Sequence, residues 1–534
     1  MASVEAVLSP APFASRAQCE SALPPPRSFE PKAQWSDDHA CAPWLGFRRG
    51  PAYRLRHPLV DVCVSPSSAH NESHASWMGC VVVKGEVLAC ELRNARLRQF
   101  SYRTPPLRLS CRWKKHSAHM ARLAQRRTPP WTLRNVQLPN TPTGETFSEL
   151  ELQRGPDLTA DDPRESLRLT RRGLEKIFNS IHVNQTSNGE LCGRRDHFVD
   201  HPVVLVRRYD AFNPFHAHEM LFSVWSTYIA FNLDPCETSI LLSDVIDDSA
   251  AFGPFLEFHR AVFAPVHGVE KMSTLAMLEF PTCFSRLITT MNYDAHFTIA
   301  YYSKLANARP VGTCGSSPYV LGFAQYVRAA FGLHAGFNPT RRVPHVSILN
   351  RKPYKREIRD QPFLTKRVLS NLPELEGAVD ALCATPYVNA SNPHERGETR
   401  TCTRSTHDMA ELPIAAQIAV ATATDVLVGT HSAAFTFLLY LPPHACIVEF
   451  CTPSDFHYDN LALYTGRCHI RMLNRALYHD APSYELDVPR ARREIRRALD
   501  RVGAYVRNGI SIPPLPPTSP RDIPWPLIKH HHQQ

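Results

Sequence analysis

From Pro202 onward the chain alternates between two hydrophobic rhythms. Short, almost unbroken apolar runs occupy 203–206, 238–242, 345–350, 426–428 and 445–449. Runs of that length, bounded by turn-forming residues, read as strands, and their lack of polar alternation predicts parallel strands covered on both faces. Between them lie stretches whose apolar residues recur every three or four positions. Segment 217–231 places Leu221, Val224, Trp225 and Tyr228 on one face of an amphipathic helix. Shorter helices are predicted at 257–263, 414–422 and 432–440, and a terminal one at 487–505, where Pro489 suits a first turn. Strand–helix alternation in two blocks predicts an α/β protein with two doubly wound, Rossmann-type sheets facing one another. Such sheets bind ligands beyond the carboxyl ends of their strands, which places the expected site in the cleft between blocks.

The first third lacks this rhythm. Residues 1–60 are rich in Pro, Ser and Ala without a sustained period and predict an irregular lead; 79–83 and 86–92 are strand-like; 114–171 carry no fold signal. The end of the chain, from Pro513, reads as a polyproline-like tail. At 534 residues the chain exceeds what one hydrophobic core supports. Four segments follow: a divergent N-terminal region (1–150), an N-terminal lobe (195–335), a C-terminal lobe (340–508) and the Pro-rich tail (509–534).

Charge changes this picture little. The net charge of +10 is spread among acids except at 114–127 and 490–501. Neither basic stretch carries interleaved aromatics or a binding motif, so both read as solvated faces and no nucleic-acid partner is expected. Fifteen cysteines without a C-x-x-C pair argue against a zinc ribbon or thioredoxin-like site, and their odd number leaves at least one thiol unpaired. Sequons at Asn71, Asn184 and Asn389 permit a secretory lumen. No apolar run reaches the ~18 residues of a membrane span. The first ten residues have neither the basic lead nor the apolar core of a signal peptide.

The chemistry concentrates in three places. The first is 424–450, where the strand 426–428 turns at Gly429-Thr-His431-Ser432-Ala433-Ala434 into the helix 432–440, and a second buried strand closes on Glu449. The helix's first N–H groups there point past the strand's end and form an anion site. Alternatively, Gly429 and Ser432 make no more than a turn and a cap. The second is Arg207-Arg-Tyr-Asp-Ala-Phe-Asn213-Pro-Phe-His216-Ala-His218-Glu219, running from a strand into a helix. Its competing reading is a capped helix start, with Asn213 as cap and His216 satisfied by backbone. As a metal site, His216, His218 and Glu219 lack a downstream third ligand. The third is Asn350-Arg351-Lys-Pro-Tyr-Lys355-Arg356 just past a strand, which is either an anion clamp or a basic surface loop.

These segments, in order and spacing over about 200–475, resemble glycosyltransferase family 61. The family's C-terminal signature is a strand, a Gly-x-His-Gly-Ala-like turn, a Leu-rich helix, Leu-Pro and a strand ending in Glu. Here Ser432 replaces the second glycine. Glu411-Leu-Pro413-Ile-Ala-Ala-Gln417 resembles its Pro-x-x-x-Gln helix entry, and Asp459-Asn460 through Gly466 its Asn-x-Ala-x-x-x-Gly segment. Asn213 and His216 match the family's Asn-x-x-His, while the acid that follows is Glu219, one position earlier than usual, with Met220 in the usual place. The resemblance implies a two-lobed GT-B transferase acting on a UDP-sugar and a glycan or glycoprotein hydroxyl, in the Golgi or ER lumen. An inverting transfer of GlcNAc or a pentose needs a general base, for which His216 and Glu219 are the candidates. The departing diphosphate falls to Arg351, Arg356, His431 and the Ser432 and Ala433 amides, with Asn213 and Gly429 shaping the donor site and Glu449 receiving ribose hydroxyls. No metal is expected: Asp244 and Asp247-Asp248 lack Asp-x-Asp spacing after a strand. A serine hydrolase would need glycines flanking Ser432.

Overall fold

The computed structural model describes residues 13–29, 59–64, 76–83, 86–97, 107–110, 112–113, 133–134, 151–152, 181–184, 192, 197–206, 213–242, 255–271, 281–290, 318–333, 343–352, 355–358, 361–364, 367–384, 402–452, 457–473 and 483–508. The proline-rich tail from 509, the acids Asp244, Asp247 and Asp248, and the sequons at Asn71 and Asn389 lie outside the described residues. The protein has mixed α/β architecture with parallel sheets, and its chain forms two compact units: Met1–Glu30 with Gly46–Thr298, and Pro31–Leu45 with Ile299–Gln534.

The first unit contains α1 (Arg16–Ala22), β1 (Val60–Val64), β2 (Trp77–Val83), β3 (Glu86–Leu97), β4 (Leu107–Ser110), β5 (Arg112–Trp113), β6 (Ile181–Asn184), β7 (His197–Val206), α2 (Pro214–Phe231), β8 (Ser239–Leu242), α3 (Leu256–Val262), β9 (Val269–Lys271) and β10 (Thr282–Thr289). Ten of its strands form one sheet in the order β9-β8-β7-β10-β3-β2-β1-β5, with β4 beside β3 and β6 beside β4. Strands β9, β8, β7 and β10 run parallel. Counted along the chain, their order is 3-2-1-4, that of half a Rossmann sheet, with its reversal between β7 and β10. Pro202 fits within β7 because pairing with β8 begins only at Val203, so the residue's missing N–H falls on an edge.

Four expectations for this half of the chain change. The N-terminal region is not a separate extension: β3 pairs antiparallel with β10 from Leu97↔Thr282 to Glu91↔Ile288, and the β1–β3 meander continues the same sheet. A parallel block ends in an unpaired strand edge, and this hairpin covers it. The lead is not wholly irregular, since α1 is capped by Ser15, whose side chain accepts from the Gln18 amide, and is tied to the turn after α2 by Cys19–Cys236. Helix α2 is not amphipathic. Everything from Ala217 to Phe231 is buried, and Ser226 and Thr227 return their hydroxyls to the carbonyls of Phe222 and Ser223. Finally, α4 (Pro318–Ala330), which the lobe boundary at 335 assigned to the first lobe, belongs to the second unit.

The second unit continues with β11 (His345–Leu349), β12 (Lys355–Ile358), β13 (Gln361–Leu364), α5 (Leu372–Ala384), β14 (Thr403–His407), α6 (Ile414–Thr422), β15 (Val426–Thr430), a 3-10 helix (Ala433–Tyr440), β16 (Cys446–Cys451), α7 (His457–Thr465), β17 (Cys468–Leu473) and α8 (Val488–Asn508). Strands β14-β11-β15-β16-β17 form a fully parallel sheet. The chain order is 2-1-3-4-5, the flavodoxin-like doubly wound arrangement, whose switch point lies between β11 and β15. One face of this sheet, with Val346, Val426, Val448 and Phe450, packs on α5 and α8. Helix α8 contributes Ala491, Ile495, Ala498 and Val502, one turn apart, while Arg492, Arg493 and Arg497 stay exposed. The segment 432–440 differs from the expected α-helix: it is a 3-10 helix, buried from Phe435 onward. Its sequence is apolar all round, and packing rather than an amphipathic stripe fixes it.

Among the described residues five disulfides form, each within one unit: Cys19–Cys236, Cys80–Cys90, Cys192–Cys283, Cys383–Cys402 and Cys446–Cys468. Cys451 is free and buried. No described helix is long and apolar enough to cross a membrane.

Candidate functional site

The first unit carries one of the three expected constellations and the second unit carries the other two. In the first unit, β7 ends at Val206 and α2 opens on Asn213, whose side chain accepts from the Phe215 amide at 3.0 Å, with Pro214 at the first helical position. Asn213 is therefore a helix cap. One turn in, His216 Nδ1 lies 3.0 Å from Glu219 Oε2, so a carboxylate faces the ring. The His216 side chain is 22% exposed and that of Glu219 only 2%. Glu219 thus orients the ring from below, while Met220, in the family's acid position, is buried. His218 faces away: its Nδ1–H donates to the Pro214 carbonyl at 2.6 Å, and its ring packs edge-on against Phe255 and Phe258. Burial lowers its pKa to about 4, so it is a neutral core histidine. Residues 207–212 of this motif lie outside the described residues.

In the second unit the carboxyl ends of β11 and β15 lie side by side, with Leu349 opposite Gly429. A Cβ at Gly429 would come 2.9 Å from Leu349 Cβ, so glycine here lets two strands approach at the switch point. Beyond these ends, Arg351 and Arg367 converge on the His431 carbonyl, donating from Nη1 at 3.4 and 3.1 Å. Arg367 is also gripped by its own carbonyl, which accepts from Thr430 Oγ1 at 3.1 Å. Its φ is +63°, a left-handed conformation that costs a non-glycine residue about 1–3 kcal/mol and persists where surrounding contacts enforce it. Arg356 lies on β12 of a two-stranded hairpin, and its side chain is outside the described residues. Lys352 turns instead to Glu411.

The expected anion-binding turn is only partly as predicted. The His431 amide donates to Phe450 O at 2.9 Å, so it belongs to the sheet. Ser432 occupies the cap position, its side chain makes no capping bond, and its carbonyl accepts from the Phe435 amide. Ser432, Ala433 and Ala434 form a half-buried lip. Glu449 does not face solvent, as a ribose-binding carboxylate would. It is 1% exposed, with Oε1 on His431 Nδ1 and Oε2 2.8 Å from His469 Nε2. Burial disfavours its charge, yet His431 and His469 outweigh that and hold the carboxyl below the usual carboxylate range.

Behind Glu449 the charges continue. His469 Nδ1 lies 2.7 Å from Asp459 Oδ1, off the ring's N–H axis, and Arg471 Nη1 donates to Asp459 Oδ2 at 2.9 Å. Arg471 Nε reaches Cys451 Sγ at 3.4 Å. Burial, then Glu449, pushes the Cys451 thiol up, which makes it inert as a nucleophile. Tyr458 packs on the His431 ring with centroids 5.0 Å apart. In the other two family-like motifs, Gln417 donates to the Leu412 carbonyl, and Gly466, at φ +68°, follows the end of α7.

Sequence reasoning missed Arg367, Tyr458, His469 and Arg471. The last two had a signal, since they alternate on one face of an otherwise apolar strand, Cys468-His-Ile-Arg-Met-Leu473. Arg367 had none, lying 64 residues from the carbonyl it reaches. Among the described residues, no group of three His, Cys, Asp or Glu is arranged to hold a metal ion. No family model matches the sequence, and no curated protein matches it.

Proposed function

We propose that this protein is an inverting, metal-independent glycosyltransferase of the GT-B kind, moving GlcNAc or a pentose from a UDP-sugar to a glycan or glycoprotein hydroxyl. One observation carries the reading: two arginines, one in a strained conformation, meet at the switch point of a doubly wound sheet. Open α/β sheets bind ligands at that point, and a departing diphosphate needs two fixed positive charges there. In the second unit, Arg351 and Arg367 receive the charge of UDP as the acceptor oxygen displaces it at the sugar's anomeric carbon. In the first unit, Glu219 lies 3.0 Å from His216 Nδ1, a carboxylate–imidazole pair of the kind that serves as general base for a hydroxyl. Five disulfides support an oxidising compartment such as the Golgi or ER lumen.

A second reading, a nucleotide-binding relative without transferase activity, is favoured by the burial of Glu219. UDP titration by calorimetry in EDTA tests both. Wild-type protein binds, and Arg351→Ala and Arg367→Ala each weaken binding about tenfold or more, the worth of a charge-assisted hydrogen bond. Failure of folded wild-type protein to bind overturns the nucleotide site. Binding without UDP-sugar hydrolysis or transfer favours the second reading.

A further inference from the structure

Two more arginines are buried in the second unit, away from the carboxyl ends of its strands. Arg328, in the last turn of α4, is 8% exposed, and Arg467, just before β17, is 4% exposed. Arginine is almost never buried without a partner, because its guanidinium keeps its charge at any ordinary pH. Arg467 is answered by helix ends. Its Nε and Nη2 donate to the carbonyl of Leu441, which caps the 3-10 helix, and its Nη1 donates to Thr465 O, at the end of α7, at 2.6 Å. Such carbonyls carry part of a negative charge. Arg328 has no such answer: among the described residues neither guanidinium pairs with a carboxylate, and the buried Arg328 Nε meets no acceptor. Helix α4 packs against both the 3-10 helix and α7, the two elements that Arg467 holds. Burial, and then the neighbouring Arg328, lower the pKa of Arg467 to about 9, which leaves it charged near neutrality. The Tyr440 phenol beside Leu441 supplies no anion, since burial pushes its pKa well up despite Arg328.

We propose that Arg328 and Arg467 form a buried binding site for a small oxyanion of the phosphate or sulfate class. The planar fork of Arg328 presents paired N–H groups to two oxygens of one such ion, and each Nη of Arg467 keeps a second N–H. The near-complete burial of both side chains admits an ion rather than a polymer. Arg467 stands at the amino end of β17, whereas Arg351 follows the carboxyl end of β11 in the same parallel sheet. The site is therefore separate from the proposed nucleotide site and does not rest on that reading.

Calorimetric titration of the full chain with inorganic phosphate, and separately with sulfate, at constant ionic strength tests this. Wild type and Arg351→Ala are expected to bind at least one of the two ions, and the one that binds identifies the oxyanion. Arg328→Met should bind it about tenfold or more weakly, because the fork's charge-assisted hydrogen bonds are gone. Where Arg328→Met does not fold, Arg328→Lys, which keeps the charge and loses the fork, should still bind more weakly than wild type. The bound ion should also raise the wild-type urea midpoint and leave that of the Arg328 variant unmoved. Equal binding in the Arg328 variant, binding lost in Arg351→Ala, or folded wild-type protein that takes up neither ion overturns the proposal. So does a midpoint raised equally in both proteins, which is the general effect of such salts. Because Arg351→Ala lacks a nucleotide contact and is expected to bind the ion, a failed UDP titration leaves this result standing.

Discussion

Raising the pH should unfasten the second unit through a single ring. His469 is buried between Glu449 and Asp459, and although burial opposes its charge, those carboxylates raise its pKa from 6.5 to about 9. Between these values the folded protein holds a proton that the unfolded chain releases, so stability falls as pH rises. The contribution is fully present below 6.5 and gone above about 9. At about 1.36 kcal/mol per pH unit, the interval is worth about 3 kcal/mol, a large share of a domain's net stability. The assay is urea unfolding of the full chain, read by pulsed hydrogen exchange in peptides covering 426–451, for the wild type and His469→Gln at steps across the window. Other groups titrate in both proteins, so the difference between them isolates the ring. It should shrink by about 3 kcal/mol between pH 6.5 and 9. A difference that stays constant across that window would refute the assignment of His469 as a buried imidazolium.

The first unit should respond to acid instead. Burial lowers His218 to about 4, so the unfolded chain binds a proton that the fold excludes, and about 3 kcal/mol is lost as pH falls from 6.5 to 4, flattened in His218→Gln. Exchange in peptides from 214–231 reads this; an equal slope in wild type and variant would count against it. Gly429→Ala pushes a Cβ within 2.9 Å of Leu349 Cβ on a neighbouring strand and should destabilise the second unit by about 1–3 kcal/mol, seen as a lower urea midpoint. An unchanged midpoint would show that β11 and β15 are not so closely set. Arg367→Gly relieves the left-handed strain while deleting the guanidinium: the midpoint should hold or rise, and UDP affinity should fall about tenfold. Loss of affinity accompanied by a lower midpoint would mark Arg367 as structural.

The sequence by itself determined both strands of the second switch point, and at the first it determined β7 and the start of α2 but not β10. Strand β15 begins at Val426 and α6 spans Ile414–Thr422 as the pattern requires, because apolar runs buried on both faces and helical spacing are local signals. Asn213 was readable as a cap for the same reason: its partner is two residues away. It did not reveal that the N-terminal strands complete the first unit's sheet, because an antiparallel pairing such as Leu97 with Thr282 depends on an unpaired edge made elsewhere in the chain. The full burial of α2 was hidden too, since burial on the polar-looking side depends on what covers it. Chemistry divided along the same line. Arg351, His431 and Glu449 could be picked out as polar residues at strand ends, but the role of Glu449 came only with His469 and His431 on either side of it. Arg367 became visible only where the fold brought it to a carbonyl far along the chain. Periodicity records which face of an element is buried; only the tertiary structure decides which distant charges share that interior and therefore which protons they hold.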